Sequence, residues 1–396
     1  MTRGARVFYP LASTTWDDAE CRALQRVIVS GRHTMGPEVA AFETAFAARV
    51  GSQHAVMASS GSAANLLALA AAFWHPDLDW RAGDEVIVPA VSWSTTYFPV
   101  TQTGLKLRFV DVEASTLNID PDLACAAITP RTRAILAVNL LGNPARLDRL
   151  RAICDRHDLL LIEDNCESMG ASLDGRAAGA WGDLGTFSSF FSHHICTMEG
   201  GMVVTNDRKL HHNLICLRAH GWTRGLPDDT HLPVDPDPFQ RQFRFVLPGY
   251  NLRPLEMEGA TGTEQLRKLP EFVEERRRNA AIFGKAFADH PDLDIQAETG
   301  MSSWFGFAMI LKNRLAGRRG ALVAALTQGG IESRPVVAGN FLNNPVIAKL
   351  DHSVAGPIVA ADRIDRDGLF TGNHHYPIPD QIARLREIVD RVAGQA

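Results

Sequence analysis

Short apolar runs bounded by polar or turn-forming residues recur along the first half of the chain, at His54–Ala58, Glu85–Pro89, Leu107–Asp111, Ala134–Asn139, Leu159–Asp164 and Met202–Thr205. Such runs predict strands covered on both faces, since a strand with one wet face would alternate apolar and polar residues. Helical spacing of apolar residues separates most of them. Near Trp16–Val29 the residues Trp16, Ala19, Ala23, Leu24 and Val27 share one face. Asp17 and Asp18 stand in the first turn there, where the positive helix end favours acids. Strand and helix signals alternate from Trp16 to His220, which predicts an α/β fold: a mainly parallel sheet between helices.

The second half reads differently. Arg224–Phe243 is rich in Pro and Asp and predicts a long surface loop. Two helical patterns follow, Leu255–Leu269 and Pro270–His290, the second carrying the charged run Glu274-Glu-Arg-Arg-Arg278. A strand at Trp304–Leu311 and helices at Arg318–Gln328 and Gln381–Val392 complete what reads as a smaller α+β domain. The expected division is an N-terminal arm over 1–15, a large domain over 16–269 and a small C-terminal domain over 270–396.

Composition narrows the function classes. The 396 residues carry 40 Lys+Arg against 45 Asp+Glu, a net charge of −5, and there is no basic tract, which argues against a nucleic-acid surface. Met1–Trp16 holds no apolar stretch of signal-peptide length, and Leu66–Trp74 is too short to cross a bilayer, so no membrane association and a cytoplasmic location are expected. The six cysteines (Cys21, Cys125, Cys154, Cys166, Cys196, Cys216) show no Cys-x-x-Cys spacing and read as free thiols. His193 and His194 are adjacent, and in an extended segment neighbouring side chains diverge, so a shared metal ion is not expected.

Three strand ends carry candidate chemistry. Ser59-Ser60-Gly61-Ser62-Ala63-Ala64-Asn65 joins a strand to a helix, a geometry that aims free N–H groups and the positive helix end at an anion; it also serves simply as a helix cap. Leu159–Asp164 runs into Asn165-Cys166-Glu167-Ser168, placing carboxylates at the carboxyl end of a buried strand, where open α/β sheets bind ligands. Ala90-Val91-Ser92-Trp93 follows a third strand and offers an aromatic to a flat ligand.

The order of these segments, with Thr186-Phe-Ser-Ser-Phe-Phe-Ser-His-His-Ile-Cys-Thr-Met-Glu-Gly-Gly201 and Gly249-Tyr250-Asn251-Leu252-Arg253, resembles the DegT-type sugar-nucleotide aminotransferases, which use pyridoxal phosphate (PLP). The likeness extends over nearly the whole chain. It implies the aspartate-aminotransferase fold of type I, with a large PLP domain and a smaller C-terminal one. By the same resemblance Gly61, Ser62 and Ser188 hold the cofactor phosphate, Trp93 lies on its ring, Asp164 meets the pyridine nitrogen and Glu167 lies near the hydroxyl. Asn251 is implied to reach the phosphate of a neighbouring subunit's cofactor, hence a homodimer with shared sites.

One position departs from the family. The cofactor lysine stands six residues before the glutamate of Glu-Gly-Gly, and Glu199 fixes that position as His193. An imidazole has no primary amine with which to hold the cofactor aldehyde, yet with an ordinary pKa of about 6.5 it can still carry protons. The likeness is to the branch that removes a C3 hydroxyl, a 3-dehydratase on a GDP-linked 4-keto-6-deoxy sugar. That branch implies non-covalent PLP or pyridoxamine phosphate (PMP) and L-glutamate as amine donor. An iron–sulfur cluster, found in CDP-linked relatives, is not expected, because only Cys196 and Cys216 lie beyond the histidine. His220, Arg224, Arg253 and Arg334 are candidates for binding diphosphate or glutamate carboxylates. The alternatives are a C4 aminotransferase of the perosamine type and a non-catalytic sugar-nucleotide binding relative.

Overall fold

The computed structural model describes residues 7–395; residues 1–6 of the expected N-terminal arm lie outside it. In chain order the strands are β1 (His54–Ala58), β2 (Glu85–Pro89), β3 (Lys106–Val110), β4 (Thr132–Val138), β5 (Leu160–Asp164), β6 (Ser172–Leu173), β7 (Arg176–Ala177), β8 (Leu184–Ser188), β9 (Gly201–Thr205), β10 (Leu293–Ile295), β11 (Gly306–Leu311), β12 (Ser333–Arg334), β13 (His352–Val354) and β14 (Gly368–Gly372). The large sheet has the order β1-β9-β8-β5-β4-β2-β3-β13, and β9 alone runs against its neighbours. β2, β8 and β9 are buried at every residue, as continuous apolar runs require once helices cover both faces. The helix Gly61–Phe73 packs into this layer as an almost uniformly Ala/Leu segment and is buried on nearly all sides.

The first predicted helix forms over Asp18–Ser30. Asp17 accepts from the Ala19 amide at 2.7 Å, and Glu20 Oε2 accepts from the Asp17 amide at 2.9 Å, closing a capping box. Ala23 and Val27 are buried, but so is Glu20, which pairs with Lys268 at 2.7 Å.

Two expectations are corrected. The helical patterns Leu255–Leu269 and Pro270–His290 form one helix, Glu256–Phe287, with Pro270 inside it. Proline there costs one backbone hydrogen bond, but packing along both halves holds the helix together: Leu266, Leu269 and Val273 pack in one cluster, Phe283 and Phe287 in another. His193 and His194, expected in an extended segment, lie in the turn between β8 and β9, where the His193 amide donates to Phe190 O at 2.9 Å.

The second sheet, β10-β11-β14-β12, is antiparallel throughout and packs on the C-terminal half of the long helix and on Pro379–Gly394. β13, from the same C-terminal region, pairs with β3 at the edge of the large sheet.

Candidate active site

The carboxyl ends of β1, β2, β4, β5 and β8 open on one cavity of about 310 Å³. Its walls include Gly61, Ser62, Trp93, Asp164, Glu167, Ser188, His193 and Arg334. Eight of the twelve residues singled out from sequence are thereby brought together.

Beyond β1 the chain enters the helix Gly61–Phe73 through Ser60, whose Oγ accepts from the Ala63 amide at 3.1 Å. The first N–H groups of a helix have no partner within it, and here they face the cavity wall. Gly61 is required by close approach: a Cβ there would stand 2.6 Å from Ser188 Cβ and 2.9 Å from Cys166 Sγ. Ser62 Oγ donates to Thr95 Oγ1 at 2.8 Å, tying this turn to the one after β2. Trp93, next to that turn, is 56 % exposed, so its ring is open to a ligand.

Glu163 and Asp164 are neighbours on β5 and point to opposite faces, as pleating demands. Glu163 turns away from the cavity and accepts from the Gly179 and Gly182 amides at 2.7 and 2.6 Å; burial raises its carboxyl above the usual range. Asp164 faces the cavity. Its Oδ2 accepts from Asn65 Nδ2 at 2.9 Å and Thr96 Oγ1 at 2.8 Å, and its Oδ1 from the Cys166 amide at 3.1 Å. Three donors on one carboxylate fix its orientation toward the cavity.

Glu167 has a poorer environment. Its Oε2 accepts only from the Leu141 amide at 3.0 Å, and burial pushes its carboxyl up to about 7. The folded protein therefore binds this proton more tightly than the unfolded chain. Between pH 4.5 and 7 this group makes stability fall as pH rises. Glu167→Gln is expected to gain stability over the parent, little at pH 4.5 and most above pH 7, in thermal melts of cofactor-free protein across that range. A constant offset at all pH values would contradict this.

His193 lines the cavity against the ring of Phe305, with centroids 5.3 Å apart. Its Nδ1 is buried without a hydrogen-bond partner. Burial lowers its pKa to about 4, leaving the imidazole neutral at physiological pH. His194 is fully buried and bonds through Nε2 to Ser303 O at 3.1 Å. No group of three or more His, Cys, Asp or Glu among the described residues has the spacing of a metal site. No lysine lines the cavity.

A family model described as the DegT/DnrJ/EryC1/StrS aminotransferase family matches residues 15–389. The chain belongs to this family. It is 55% identical over 392 residues to GDP-4-keto-6-deoxy-D-mannose 3-dehydratase of Yersinia pseudotuberculosis, covering 98% of this chain and 100% of that protein. The structure of E. coli GDP-4-keto-6-deoxy-D-mannose-3-dehydratase with bound hydrated PLP matches at a TM-score of 0.94 and 52% identity, over 97% of this chain and 100% of the other. GDP-4-keto-6-deoxymannose-3-dehydratase with a trapped PLP–glutamate geminal diamine matches at 0.93 and 52% identity, over 96% and 99%. The fold is thus the type I aminotransferase fold that the family resemblance implies.

The remaining four candidates lie outside this chain's cavity. Asn251 is exposed and accepts from Arg253 Nε at 3.0 Å. Arg253 and Arg224 each stand about 6 Å from the Trp222 ring, at 6.0 and 5.9 Å, and His220 packs on the same ring at 4.8 Å. They form one aromatic and cationic surface.

Three cavity residues were not singled out as site residues from the sequence: Asn65, Thr96 and Phe305. Asn65 had a signal, because it is the only polar side chain past the first turn of the Ala/Leu helix, and it follows Gly61 by one helical turn. Phe305 had none, because it arrives from the far end of the chain.

Proposed function

We propose that this enzyme is a PLP/PMP-dependent 3-dehydratase that removes the C3 hydroxyl of a GDP-linked 4-keto-6-deoxy sugar, most specifically GDP-4-keto-6-deoxy-D-mannose, with L-glutamate restoring the amine. The observation that carries the reading is His193 at the family lysine's place in a cavity that no lysine lines, while Gly61, Ser62, Trp93, Asp164, Glu167 and Ser188, the positions the family uses for the cofactor, line the same cavity.

The cavity suits a flat, phosphate-bearing pyridine. Helix N–H groups at Gly61 and Ser62, with Ser188 beside them, suit a phosphate. Trp93 offers a stacking face, and Asp164, held by Asn65 and Thr96, offers a fixed charge to a protonated ring nitrogen. Glu167, protonated near neutrality, suits the ring hydroxyl. Bound there, the cofactor supplies an amine for the sugar ketone and a ring that accepts electrons.

The chain's own contribution is proton traffic and orientation. His193, neutral and partly enclosed, takes a proton from the cofactor carbon bearing the amine. The same imidazole then protonates the departing C3 hydroxyl, a poor leaving group without that proton. Arg334 lines the cavity from β12 and suits a diphosphate or a glutamate carboxylate. Asn251 and the Trp222 surface with His220, Arg224 and Arg253 suit a neighbouring subunit's site, which makes the working unit a homodimer. The large cofactor domain over 16–269 and the small domain over 270–396 then share the long helix. A role in dideoxysugar synthesis of the colitose type, in the cytoplasm, fits this reading; no helix among the described residues is long and apolar enough to cross a membrane.

The test combines linkage and turnover. Borohydride treatment of the PLP-loaded protein is expected to leave no cofactor mass on any lysine. The same protein with L-glutamate and GDP-4-keto-6-deoxy-D-mannose should release ammonia and 2-oxoglutarate in equal amounts and need no reductase. A stable 4-amino sugar would establish an aminotransferase instead, and preference for a CDP-linked substrate would overturn the nucleotide assignment.

A further inference from the structure

Arg276 is a buried guanidinium with no acid opposite it. It is 5% exposed, and burial lowers its pKa to about 10; the ionisable groups that counter this are Tyr376 and Tyr9, not a carboxylate among the described residues. Its Nη1 donates instead to backbone carbonyls: Asn373 O at 2.8 Å, Phe305 O at 3.2 Å and Trp304 O at 3.5 Å. Its Nε has no hydrogen-bond partner. A buried cation paired only with carbonyl dipoles is costly, and the two carbonyls of Trp304 and Phe305 show what it holds.

They belong to the strap Ser302–Phe305, which leads into β11. Trp304 has φ of +49°, a left-handed conformation that a bulky residue keeps only when its surroundings impose it. Asn373 Nδ2 donates to Trp304 O at 2.9 Å, and Arg277 Nε donates to Ser302 O at 2.9 Å. The strap in turn touches His193 on the cavity wall and its neighbour His194. The Phe305 ring packs against His193, and Ser303 O binds the adjacent His194. The Phe305 and Ser303 amides donate to Leu141 O and Gly142 O, both at 2.9 Å, fixing the turn whose Leu141 amide holds Glu167. Leu141 also has positive φ, +53°.

We propose that Arg276 is a positioning residue for His193, acting through the strained strap Ser302–Phe305. The inference rests on the proton-transfer role proposed for His193. Its charge matters as well as its bonds. The groups facing His193 are Asp164, Cys166, Glu167, Glu199 and Arg334 on the cavity walls, His194 beside it and Arg276 through the strap; burial is the main cause that opposes its protonation, and the Arg276 charge adds to it. Around Arg276 stand Tyr9, Tyr376, His374 and His375, and there is no carboxylate among them.

The experiment compares Arg276→Met, which keeps bulk and removes charge, with Arg276→Lys, which keeps charge. NMR titration of labelled imidazole in cofactor-free protein reads His193 without reference to turnover. Its midpoint, about 4 in the parent, should move upward in Arg276→Met and stay near the parent in Arg276→Lys. In the loaded enzyme, Arg276→Met should lower kcat about 10- to 100-fold with KM for the sugar nucleotide unchanged, and Arg276→Lys should recover part of that loss. An unmoved His193 midpoint, or a loss confined to KM, overturns the proposal. If Arg276→Met does not fold, Phe305→Leu removes the ring through which the strap packs on His193 and leaves Arg276 in place; an unmoved His193 midpoint with parental kcat in that folded variant also overturns it. A shifted midpoint together with no deoxygenation by any of the proteins would support the role of Arg276 and sink the dehydratase reading.

Discussion

His193→Asn is expected to lose C3 deoxygenation by roughly 10²- to 10⁴-fold, the range that a positioned proton carrier contributes. The amide fills a similar volume and retains a hydrogen-bonding side chain, but it cannot take up a proton near neutrality. The cavity side of Asp164, Ser188 and Trp93 is untouched by the change, so binding of PMP and of the keto-sugar should persist. Glutamate-driven regeneration should slow too, because the same imidazole faces the same reacting carbon in that direction. Single-turnover assays with PMP-loaded protein check the first half and 2-oxoglutarate release the second. Turnover at the parental rate would remove His193 from the chemistry.

A different pattern is expected from Asp164→Asn. The amide is close in shape to the carboxylate, yet it has one acceptor oxygen: if that oxygen keeps Asn65 Nδ2 and Thr96 Oγ1, which now converge on Oδ2 at 2.9 and 2.8 Å, the NH2 is left against the Cys166 amide, donor facing donor. It also removes the fixed charge proposed to face the ring nitrogen. Losing a preorganised electrostatic contact of this kind costs on the order of 10²- to 10³-fold in kcat. Both half-reactions should fall together, and the cofactor retained after desalting, read by absorbance, should fall as well. His193→Asn should keep its cofactor. Normal retention with normal turnover in Asp164→Asn would show that the carboxylate only stabilises the fold, where burying a polar pair has its own cost.

Much of the site was legible because it is built from local segments at strand ends. Ser60 to Asn65, Ser92 and Trp93, Asp164 to Glu167, and Ser188 to His193 each follow a strand of the large sheet, and parallel strands deliver their carboxyl ends to one edge. The substitution at His193 could be read by counting back from Glu199 because that loop is contiguous. The alternation that sends Glu163 inward and Asp164 to the cavity is likewise fixed once β5 is a strand.

Other features arise only from long-range packing. Nothing local says that Pro270 lies within a continuous helix: its missing hydrogen bond is outweighed by the apolar contacts on either side. Nor does spacing place Phe305 and Arg334 on the cavity wall, or set β13 beside β3, since these residues come from the C-terminal third. The contrast between Asp164 and Glu167 was beyond sequence for the same reason. Both are acids on one short segment, but three donors reach the first, and a single amide on a strained turn reaches the second. The sequence alone determined which groups stand at the sheet edge, because where a strand ends and how its side chains alternate are local properties. Tertiary structure decided which of them are held by donors, which are desolvated and what covers them, because solvation and hydrogen bonding depend on residues far away in the chain.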